Sequence, residues 1–309
     1  MAEDWPSYLA LHESGELKRR AEMALKLLRE CTVCPRECRA DRTRDTSGCF
    51  CGGGERALVC SAAPHFGEER PLVGSGGSGT IFFGGCNLGC VFCQNYEISH
   101  GREGREVSAT ELANIMVGLQ RRGCHNINFV SPSHFVPQIL AALGPAIDAG
   151  LNVPLVYNTG GYDSLKTLRL LDGVVDIYMP DAKYADPEVA KRLSGAEDYP
   201  RIMRSAISEM HRQVGDLQVG DDGVARRGLL VRHLVMPGGL AGTPEVMRFL
   251  ASLSEDTYVN VMPQYRPCYR AHEYSELSRR ITRQEYQQAV QAALDAGLHR
   301  LDERPTMFG

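Results

Sequence analysis

The chain lacks the features that mark several classes of protein. Its net charge is only −4 over 309 residues, which favours neither nucleic acid nor an anionic membrane surface as a partner. No apolar run approaches the roughly 18 residues that a membrane-spanning helix needs. The acidic start, Met1–Asp4, is not followed by an apolar stretch, so we expect no signal peptide. These absences predict a cytoplasmic protein that binds neither nucleic acid nor membrane.

Cysteine, by contrast, is abundant and unevenly placed. The chain has eleven cysteines, and nine of them lie between Cys31 and Cys93. A secreted disulfide scaffold would be smaller and would carry a signal sequence, so that class is excluded. In an intracellular chain, such crowding favours metal binding over disulfide formation.

Three cysteines form a compact motif in a glycine-rich loop. The run Thr80–Phe83 is short, β-branched and aromatic, which predicts a buried strand, and Cys86, Cys90 and Cys93 follow it at spacings of three and two residues. An iron–sulfur cluster usually takes four cysteines, so three would leave one iron open to another ligand. The alternatives are a zinc site that lacks one ligand and a set of buried structural cysteines.

The motif, with Phe92 just before its third cysteine, resembles the signature of the radical S-adenosylmethionine (SAM) enzymes. The resemblance implies a [4Fe–4S] cluster on Cys86, Cys90 and Cys93, with the amino and carboxylate groups of SAM on the open iron. It also implies an oxidoreductase in which an electron from the cluster cleaves SAM to a 5′-deoxyadenosyl radical. A partner such as flavodoxin or ferredoxin would supply that electron.

A second cysteine group lies in the N-terminal part of the chain. The stretch Glu16–Glu30 predicts a helix with one apolar stripe, and the cysteines follow it directly. Four thiolates can bind either zinc or an auxiliary iron–sulfur cluster, with zinc slightly preferred, and unliganded reduced thiols are the alternative. Cys49 is the second choice for the fourth ligand and Cys60 the third. The predicted ligands are Cys31, Cys34, Cys38 and Cys51.

From Thr80 onward, short apolar runs alternate with amphipathic stretches. Ser108 and Thr282 each precede a glutamate by three residues, the pattern of a helix capping box. Alternating strands and helices imply parallel pairing with right-handed crossovers. The predicted fold class is α/β: an open, partial TIM-like barrel of six β/α units, with an N-terminal helical, cysteine-rich metal-binding extension. The predicted strands are Thr80–Phe83, Ile127–Val130, Val153–Tyr157, Val174–Tyr178, Leu229–Val235 and Thr257–Val261.

This pattern divides the chain into three regions. Residues 1–79 form the N-terminal helix and cysteine-rich metal-binding segment, 80–297 the partial barrel, and 298–309 a C-terminal tail. Between the fourth and fifth strands, the stretch Asp216–Arg227 predicts a hairpin instead of a barrel element.

Polar side chains stand at the predicted ends of the strands. In parallel α/β barrels the chemistry lies at the carboxyl ends, and SAM offers a carboxylate, an ammonium group, a ribose diol and an adenine. Lysine, aspartate, hydroxyl and backbone amide groups suit such a ligand, although each residue could instead be a turn, a cap or a solvated strand end. The predicted SAM-binding residues are Phe92, Ser131, Ser133, His134, Asn158, Thr159, Asp181, Lys183, Arg232 and Tyr265.

Longer segments resemble the pyruvate formate-lyase activating enzyme-like branch of the radical SAM enzymes, in a form with an extra N-terminal cysteine group. They include Ala63–Glu69, Cys93–Ser99, Tyr157–Tyr162 and Asp176–Tyr184, the last with the Asp-x-Lys pattern of the branch. Other positions depart from it. Ser131–His134 replaces a Gly-Gly-Glu motif, Asn158 and Thr159 replace an Asp-Thr pair, and the region of Tyr265 replaces a histidine. The departures are compatible with SAM binding and weaken the case for strict glycyl-radical activation.

Three hypotheses for function follow. The first is a glycyl-radical-activase-like enzyme that abstracts hydrogen from a protein or peptide substrate entering the open barrel. The second is radical SAM modification of a small molecule or a peptide side chain. The third is a non-catalytic metal-binding scaffold, against which Asp181 and Lys183 argue because a scaffold needs no SAM ligands. Cys268 lies near the predicted active face and could donate hydrogen or relay a radical.

Overall fold

One nine-stranded sheet runs through residues 5–302, the part of the chain that the computed structural model describes. The acidic start at residues 1–4 and most of the predicted tail, 303–309, lie outside the described residues. The strands are β1 (Ala57–His65), β2 (Ser78–Phe83), β3 (Arg105–Val107), β4 (Ile127–Val130), β5 (Leu155–Thr159), β6 (Ile177–Pro180), β7 (Gln218–Val219), β8 (Ala225–Leu234) and β9 (Tyr258–Met262).

Most strand pairs in this sheet are parallel. β2, β4, β5, β6, β8 and β9 pair in that order with parallel register. β1 adds an antiparallel strand to β2, and β3 adds one to β1. β7 pairs antiparallel with the start of β8 and forms the predicted hairpin. The fold is therefore α/β with a parallel-rich sheet, consistent with the predicted partial barrel.

Helices connect the strands, and their ends follow the local sequence. Ser108 and Thr282 both form the predicted capping boxes, and the Asp186 side chain caps the helix after β6. The helices are α1 (Tyr8–Glu13), α2 (Glu16–Lys26), α3 (Arg70–Val73), α4 (Tyr96–Ser99), α5 (Ala109–Arg121), α6 (Val136–Asp148), α7 (Leu165–Leu170), α8 (Pro187–Ser194), α9 (Tyr199–Val214), α10 (Thr243–Leu253) and α11 (Arg283–Asp295). None of the helices within residues 5–302 is long and apolar enough to cross a bilayer.

Several predicted boundaries differ from the observed ones. β5 and β6 begin two and three residues after the predicted starts, Val153 and Val174, because the apolar runs begin in the turns before the strands. The predicted helix Glu16–Glu30 ends at Lys26, after which the chain tightens into turns. β1 and β3 were not predicted. β1 pairs with β2 across the predicted boundary at residue 79, so sheet pairing extends into the N-terminal region.

The interior of the sheet changes character along the strands. An apolar group that includes Leu72, Val156, Met179 and Leu230 packs together below the carboxyl ends. Because side chains on one face of a strand recur every second residue, Asn158 lies on the same face as Val156, one step further along. Asp181 follows Met179 and Arg232 follows Leu230 in the same way. At the carboxyl ends of these strands, the polar side chains therefore lie directly next to a layer of buried apolar side chains.

Candidate active site

The cysteine loop leaves the carboxyl end of β2 and is held by contacts from several elements. The Gly85 N–H donates to the Ile98 carbonyl at 2.9 Å, and the Val91 N–H donates to the Leu193 carbonyl at 2.9 Å. The side-chain amide of Asn87 donates to the Tyr162 carbonyl at 2.5 Å. These bonds fix the backbone on which the three cysteines stand.

Cys86, Cys90 and Cys93 line one cavity at the carboxyl ends of the strands. Each sulfur has a hydrogen-bonding neighbour: the Leu88 N–H at 3.4 Å from Cys86, the Ser194 hydroxyl at 3.0 Å from Cys90, and the Ser99 hydroxyl at 3.2 Å from Cys93. Burial raises the pKa of the Cys86 thiol to about 12. A metal must therefore displace the proton of this thiol, and donors aimed at sulfur stabilise the resulting thiolate.

A charged network faces the thiols across the cavity. Lys183 Nζ lies 2.6 Å from one carboxylate oxygen of Asp181, and Arg232 Nε lies 2.8 Å from the other. Arg232 also donates to the side-chain oxygen of Asn158 at 2.7 Å. Two cations around one carboxylate leave a net positive charge, which suits an anionic group such as the carboxylate of SAM.

The pKa values of this network follow from its geometry. Burial acts to raise the pKa of Asp181, but Arg232 and Lys183 outweigh it, so that pKa lies below its usual value. Burial acts to lower the pKa of Lys183, and the attraction of Asp181 reverses the effect. All three side chains are therefore charged at neutral pH, and the positive character of the cavity wall persists.

The structure brings most of the predicted SAM-binding residues to the cavity and leaves three behind it. Ser133 lies 3.0 Å from the Thr159 hydroxyl, His134 lies 3.0 Å from the Gly84 carbonyl, and Tyr265 donates to the Leu277 carbonyl at 2.8 Å. These three side chains are buried supports of the neighbouring loops. The predicted residues in the lining are Phe92, Ser131, Asn158, Thr159, Asp181, Lys183 and Arg232.

Sequence reasoning missed part of the lining. Gln94 and Asn95 directly follow Cys93, and Leu234, Met262 and Gln264 lie at or just beyond the ends of β8 and β9. The strand-end rule could have found the last three residues, since they occupy the same edge as Arg232. Cys268 does not belong to the lining.

The N-terminal cysteines lie in a segment packed against the cysteine loop. Cys31, Cys34 and Cys51 are buried, and Cys38 is half-buried. Within residues 5–302, no three Cys, His, Asp or Glu side chains are grouped as the ligands of one metal ion would be. The argument for a metal at either cysteine group therefore depends on the position of its cysteines in one cavity or segment and on the hydrogen bonds to their sulfurs. Rotation about the first side-chain torsion of each cysteine would bring the sulfurs together around a metal.

Comparison with known proteins gives the family. The Radical SAM superfamily model matches residues 80–214. The uncharacterized protein MJ0674 of Methanocaldococcus jannaschii is 34% identical over 285 residues, which cover 90% of this chain and 78% of that protein. The chain belongs to the radical SAM superfamily. Membership implies an enzyme that uses a [4Fe–4S] cluster and SAM.

One solved structure with a TM-score above 0.5 agrees at the level of the fold. The FeFe-hydrogenase maturase HydG from Carboxydothermus hydrogenoformans aligns with a TM-score of 0.51 at 15% identity, covering 72% of this chain and 52% of the maturase. A radical SAM methyltransferase from Sphaerobacter thermophilus aligns with a TM-score of 0.46 at 15% identity, covering 71% of this chain and 64% of that protein. The chain thus spans about half of the maturase and just under two thirds of the methyltransferase.

The residues present fit the cofactors of the superfamily. Three thiols, one buried and two half-buried, share a cavity with a net-positive polar wall, and each sulfur has a hydrogen-bond donor beside it. Soft thiolates are the ligands that iron–sulfur clusters take, and the opposite wall supplies charges for a polar ligand beside them.

Proposed function

We propose that this radical SAM enzyme is activating-enzyme-like and abstracts a hydrogen atom from a protein or peptide substrate. The observation that carries the proposal is the shared cavity of the three cysteines and the Asp181 network. In this proposal Cys86, Cys90 and Cys93 hold the cluster. SAM lies against the polar wall, which consists of Asn158, Thr159, Asp181, Lys183 and Arg232.

When bound, the cluster and SAM supply the one-electron cleavage that yields a 5′-deoxyadenosyl radical. The chain's own residues orient the reactants. Asp181 can accept a hydrogen bond from the amino group of SAM, and Lys183 and Arg232 can pair with its carboxylate. Because Lys183 and Arg232 already donate to the two carboxylate oxygens of Asp181, the positions of these side chains are set before SAM arrives.

Amide side chains at the cavity favour a peptide as substrate. Gln94, Asn95 and Gln264 line the cavity, and the Gln94 amide donates to the Gln264 carbonyl at 3.3 Å across its rim. Primary amides both donate and accept hydrogen bonds, so they can pair with peptide groups of an extended segment. An electron donor such as flavodoxin or ferredoxin completes the proposed system.

SAM cleavage tests the proposed site. Reconstituted, reduced protein should release 5′-deoxyadenosine and methionine slowly without substrate. Asp181→Asn and Lys183→Ala should weaken SAM binding roughly ten- to hundredfold, the size expected for lost hydrogen bonds to charged groups, while iron content stays unchanged. Lys191→Ala is the matched control, because Lys191 pairs with Glu197 on the surface. Failure of the reconstituted protein to bind SAM would refute the proposal.

Isotope transfer tests the substrate class. Glycine-containing peptides deuterated at Cα should pass deuterium into 5′-deoxyadenosine, detected by mass spectrometry. Deuterated free amino acids should not. Transfer from free amino acids alone would favour the small-molecule alternative, and no SAM cleavage under any condition would favour a metal scaffold.

Two further predictions remain part of this proposal. We place the enzyme in the cytoplasm, because thiolate-rich metal sites persist where thiols stay reduced. We also keep the division into an N-terminal metal-binding segment (1–79), a barrel of six β/α units (80–297) and a tail (298–309). Limited proteolysis that cut in the turn before β2, at residues 74–77, before any site within 80–297 would support the division.

A further inference from the structure

We propose that Cys31, Cys34, Cys38 and Cys51 bind a second metal centre, and that this centre positions the cysteine loop of the active site through Arg36. The metal site stands on its own observations. The positioning role rests on the proposed function, since it concerns the loop that would hold the SAM cluster.

The four thiols belong to one short segment that is largely enclosed. Cys31, Cys34 and Cys51 are buried and Cys38 is half-buried. The backbone reinforces the grouping: the Cys31 N–H donates to the Ala40 carbonyl at 3.0 Å. Four thiolates in one buried place are costly without a metal, which keeps them deprotonated and contributes folding energy.

Backbone N–H groups donate to cysteine sulfurs in this group, as they do in the active-site loop. In the active site, the Leu88 N–H donates to Cys86, two residues earlier. In the N-terminal group, the Gly53 N–H donates to Cys51 at 3.4 Å with the same two-residue offset. The Phe50 N–H donates to Cys38 at 3.4 Å. Backbone N–H groups directed at cysteine sulfurs stabilise thiolates that carry metal.

A buried cation supplies the second, independent argument. Arg42 is only 2% exposed. Its guanidinium donates to the carbonyls of Gly53, Gly54 and His134, and it lies 3.9 Å from the sulfur of Cys31. These acceptors are neutral while the thiols keep their protons, and a buried cation needs an anionic counterpart. Four thiolates around a divalent zinc ion or a 2+ cluster carry a net charge of about −2, which supplies that counterpart.

The hydrogen bonds also favour Cys51 as the fourth ligand. Cys51 accepts the Gly53 N–H and is deeply buried. Cys60 instead contacts the Glu103 carbonyl at 2.6 Å, away from the group. Cys49 is buried too and lies two residues before Cys51, which leaves it as the substitute ligand.

Arg36 joins the two cysteine groups. It lies between Cys34 and Cys38 in the chain, and its guanidinium donates to three carbonyls: Asn87 at 2.9 Å, Gly195 at 2.6 Å and Ser194 at 3.1 Å. Asn87 lies between the first two active-site cysteines. The Ser194 hydroxyl donates to the sulfur of Cys90. A metal that fixed Cys34 and Cys38 would therefore fix Arg36 and, through it, both sides of the cysteine loop.

A direct backbone contact strengthens this connection. Gly85, just before the first active-site cysteine, has a positive φ of 77° and lies against the carbonyl oxygen of Cys51, where a Cβ would overlap that oxygen. Only glycine permits both the conformation and the approach. The N-terminal segment and the cysteine loop thus meet through Arg36 and also through this backbone contact.

Metal analysis of the active-site triple variant tests the site. Cys86→Ala, Cys90→Ala and Cys93→Ala together remove the proposed SAM cluster ligands and leave the N-terminal group intact. Anaerobically purified triple variant should contain about one zinc, or several irons with sulfide, per chain. The first result identifies zinc and the second an auxiliary cluster. Neither metal being bound would overturn the proposal, whether or not the wild-type enzyme cleaves SAM.

Variants of the N-terminal ligands give a second test of the metal site, and this test does not require the triple variant to fold. Cys34→Ser with Cys38→Ser should remove this metal from the wild-type background, whereas Cys60→Ser, the matched control, should keep it. Loss of the same metal from Cys60→Ser would contradict the ligand assignment.

Arg36 variants test the positioning role. Arg36→Ala should retain the N-terminal metal, change the electron paramagnetic resonance spectrum of the reduced SAM cluster, and weaken SAM binding on the order of tenfold, as outer-shell changes at metal sites do. Arg36→Lys should not restore the spectrum, because an ammonium group cannot bond three separated carbonyls. Arg44→Ala, at an exposed arginine of the same segment, is the control. A spectrum and SAM affinity equal to those of Arg44→Ala would refute the role.

Discussion

The two cysteine groups of this chain differ in what surrounds them. Cys86, Cys90 and Cys93 line a cavity that also holds Asp181 and Lys183. Cys31, Cys34 and Cys51 are buried in the N-terminal segment, and the neighbouring cation Arg42 is buried too and donates to backbone carbonyls. Catalytic metal sites keep an open position and structural ones are closed. In our proposals the first group therefore carries the reaction and the second group supports the fold.

The largest expected effect separates the groups by activity. The triple variant Cys86→Ala, Cys90→Ala, Cys93→Ala should lose all detectable release of 5′-deoxyadenosine, because nothing would hold the cluster. Chromatography of anaerobic reactions measures the product. Cys124→Ala is the control, since Cys124 is buried outside the cavity. Full activity in the triple variant would remove the distinction between the groups.

Loss of the N-terminal cysteines should reduce the stability of the protein more than loss of the active-site cysteines does. Cys34→Ser with Cys38→Ser should lower the free energy of unfolding by about 5 kcal/mol or more, because metal binding contributes folding energy. The active-site triple variant should lose less, since its cysteines face a cavity. Urea unfolding followed by circular dichroism measures both. Equal losses would mean that the enclosed group has no special structural role.

Removal of the buried cation sharpens the same point. Arg42→Met should cost about 4 kcal/mol in metal-loaded protein, the size expected when one partner of a buried charge pair is lost. The loss should be smaller when Cys34 and Cys38 are already serine, because the anionic partner is then absent. Arg44→Met is the exposed control. If Arg42→Met lowered the free energy of unfolding equally with and without Cys34 and Cys38, Arg42 would not interact electrostatically with the metal centre.

The smallest predicted effect is the pH dependence of the free energy of unfolding that His233, next to Arg232 in β8, causes. Burial lowers the pKa of His233 to about 4, although its hydrogen bond to the Ala182 carbonyl acts the other way. Between about pH 6.5 and 4, His233 binds a proton in the unfolded chain but stays neutral in the folded chain. The free energy of unfolding therefore decreases as the pH falls through this window. The loss reaches up to about 3 kcal/mol.

Replacing this histidine checks the assignment. His233→Gln should reduce the acid-side loss of stability between pH 6.5 and 4, measured by urea unfolding at several pH values. An unchanged slope would show that other groups cause it. His299→Gln is the control, because that histidine is exposed beside Asp256.

Much of the fold could be predicted because its signals are local. The capping boxes at Ser108 and Thr282 involve residues three apart, and both form as expected. β1 could not be found in this way. Its residues Ala57–His65 lack a clean alternation, and the strand exists because β2 and β3 pair with its two edges. Strand starts were misplaced at β5 and β6 because apolar character marks burial and not hydrogen bonding.

The sequence by itself determined the chemistry of the active site. Cysteine spacing after one strand, together with polar residues after parallel strands, predicts which side chains share an edge, because parallel strands end on the same side of a sheet. Only the tertiary structure decided what joins the two cysteine groups. Arg36 reaches Asn87 over 51 positions and Ser194 over 158, and Arg42 reaches His134 over 92. No local pattern encodes such contacts, since they exist only after distant elements have packed.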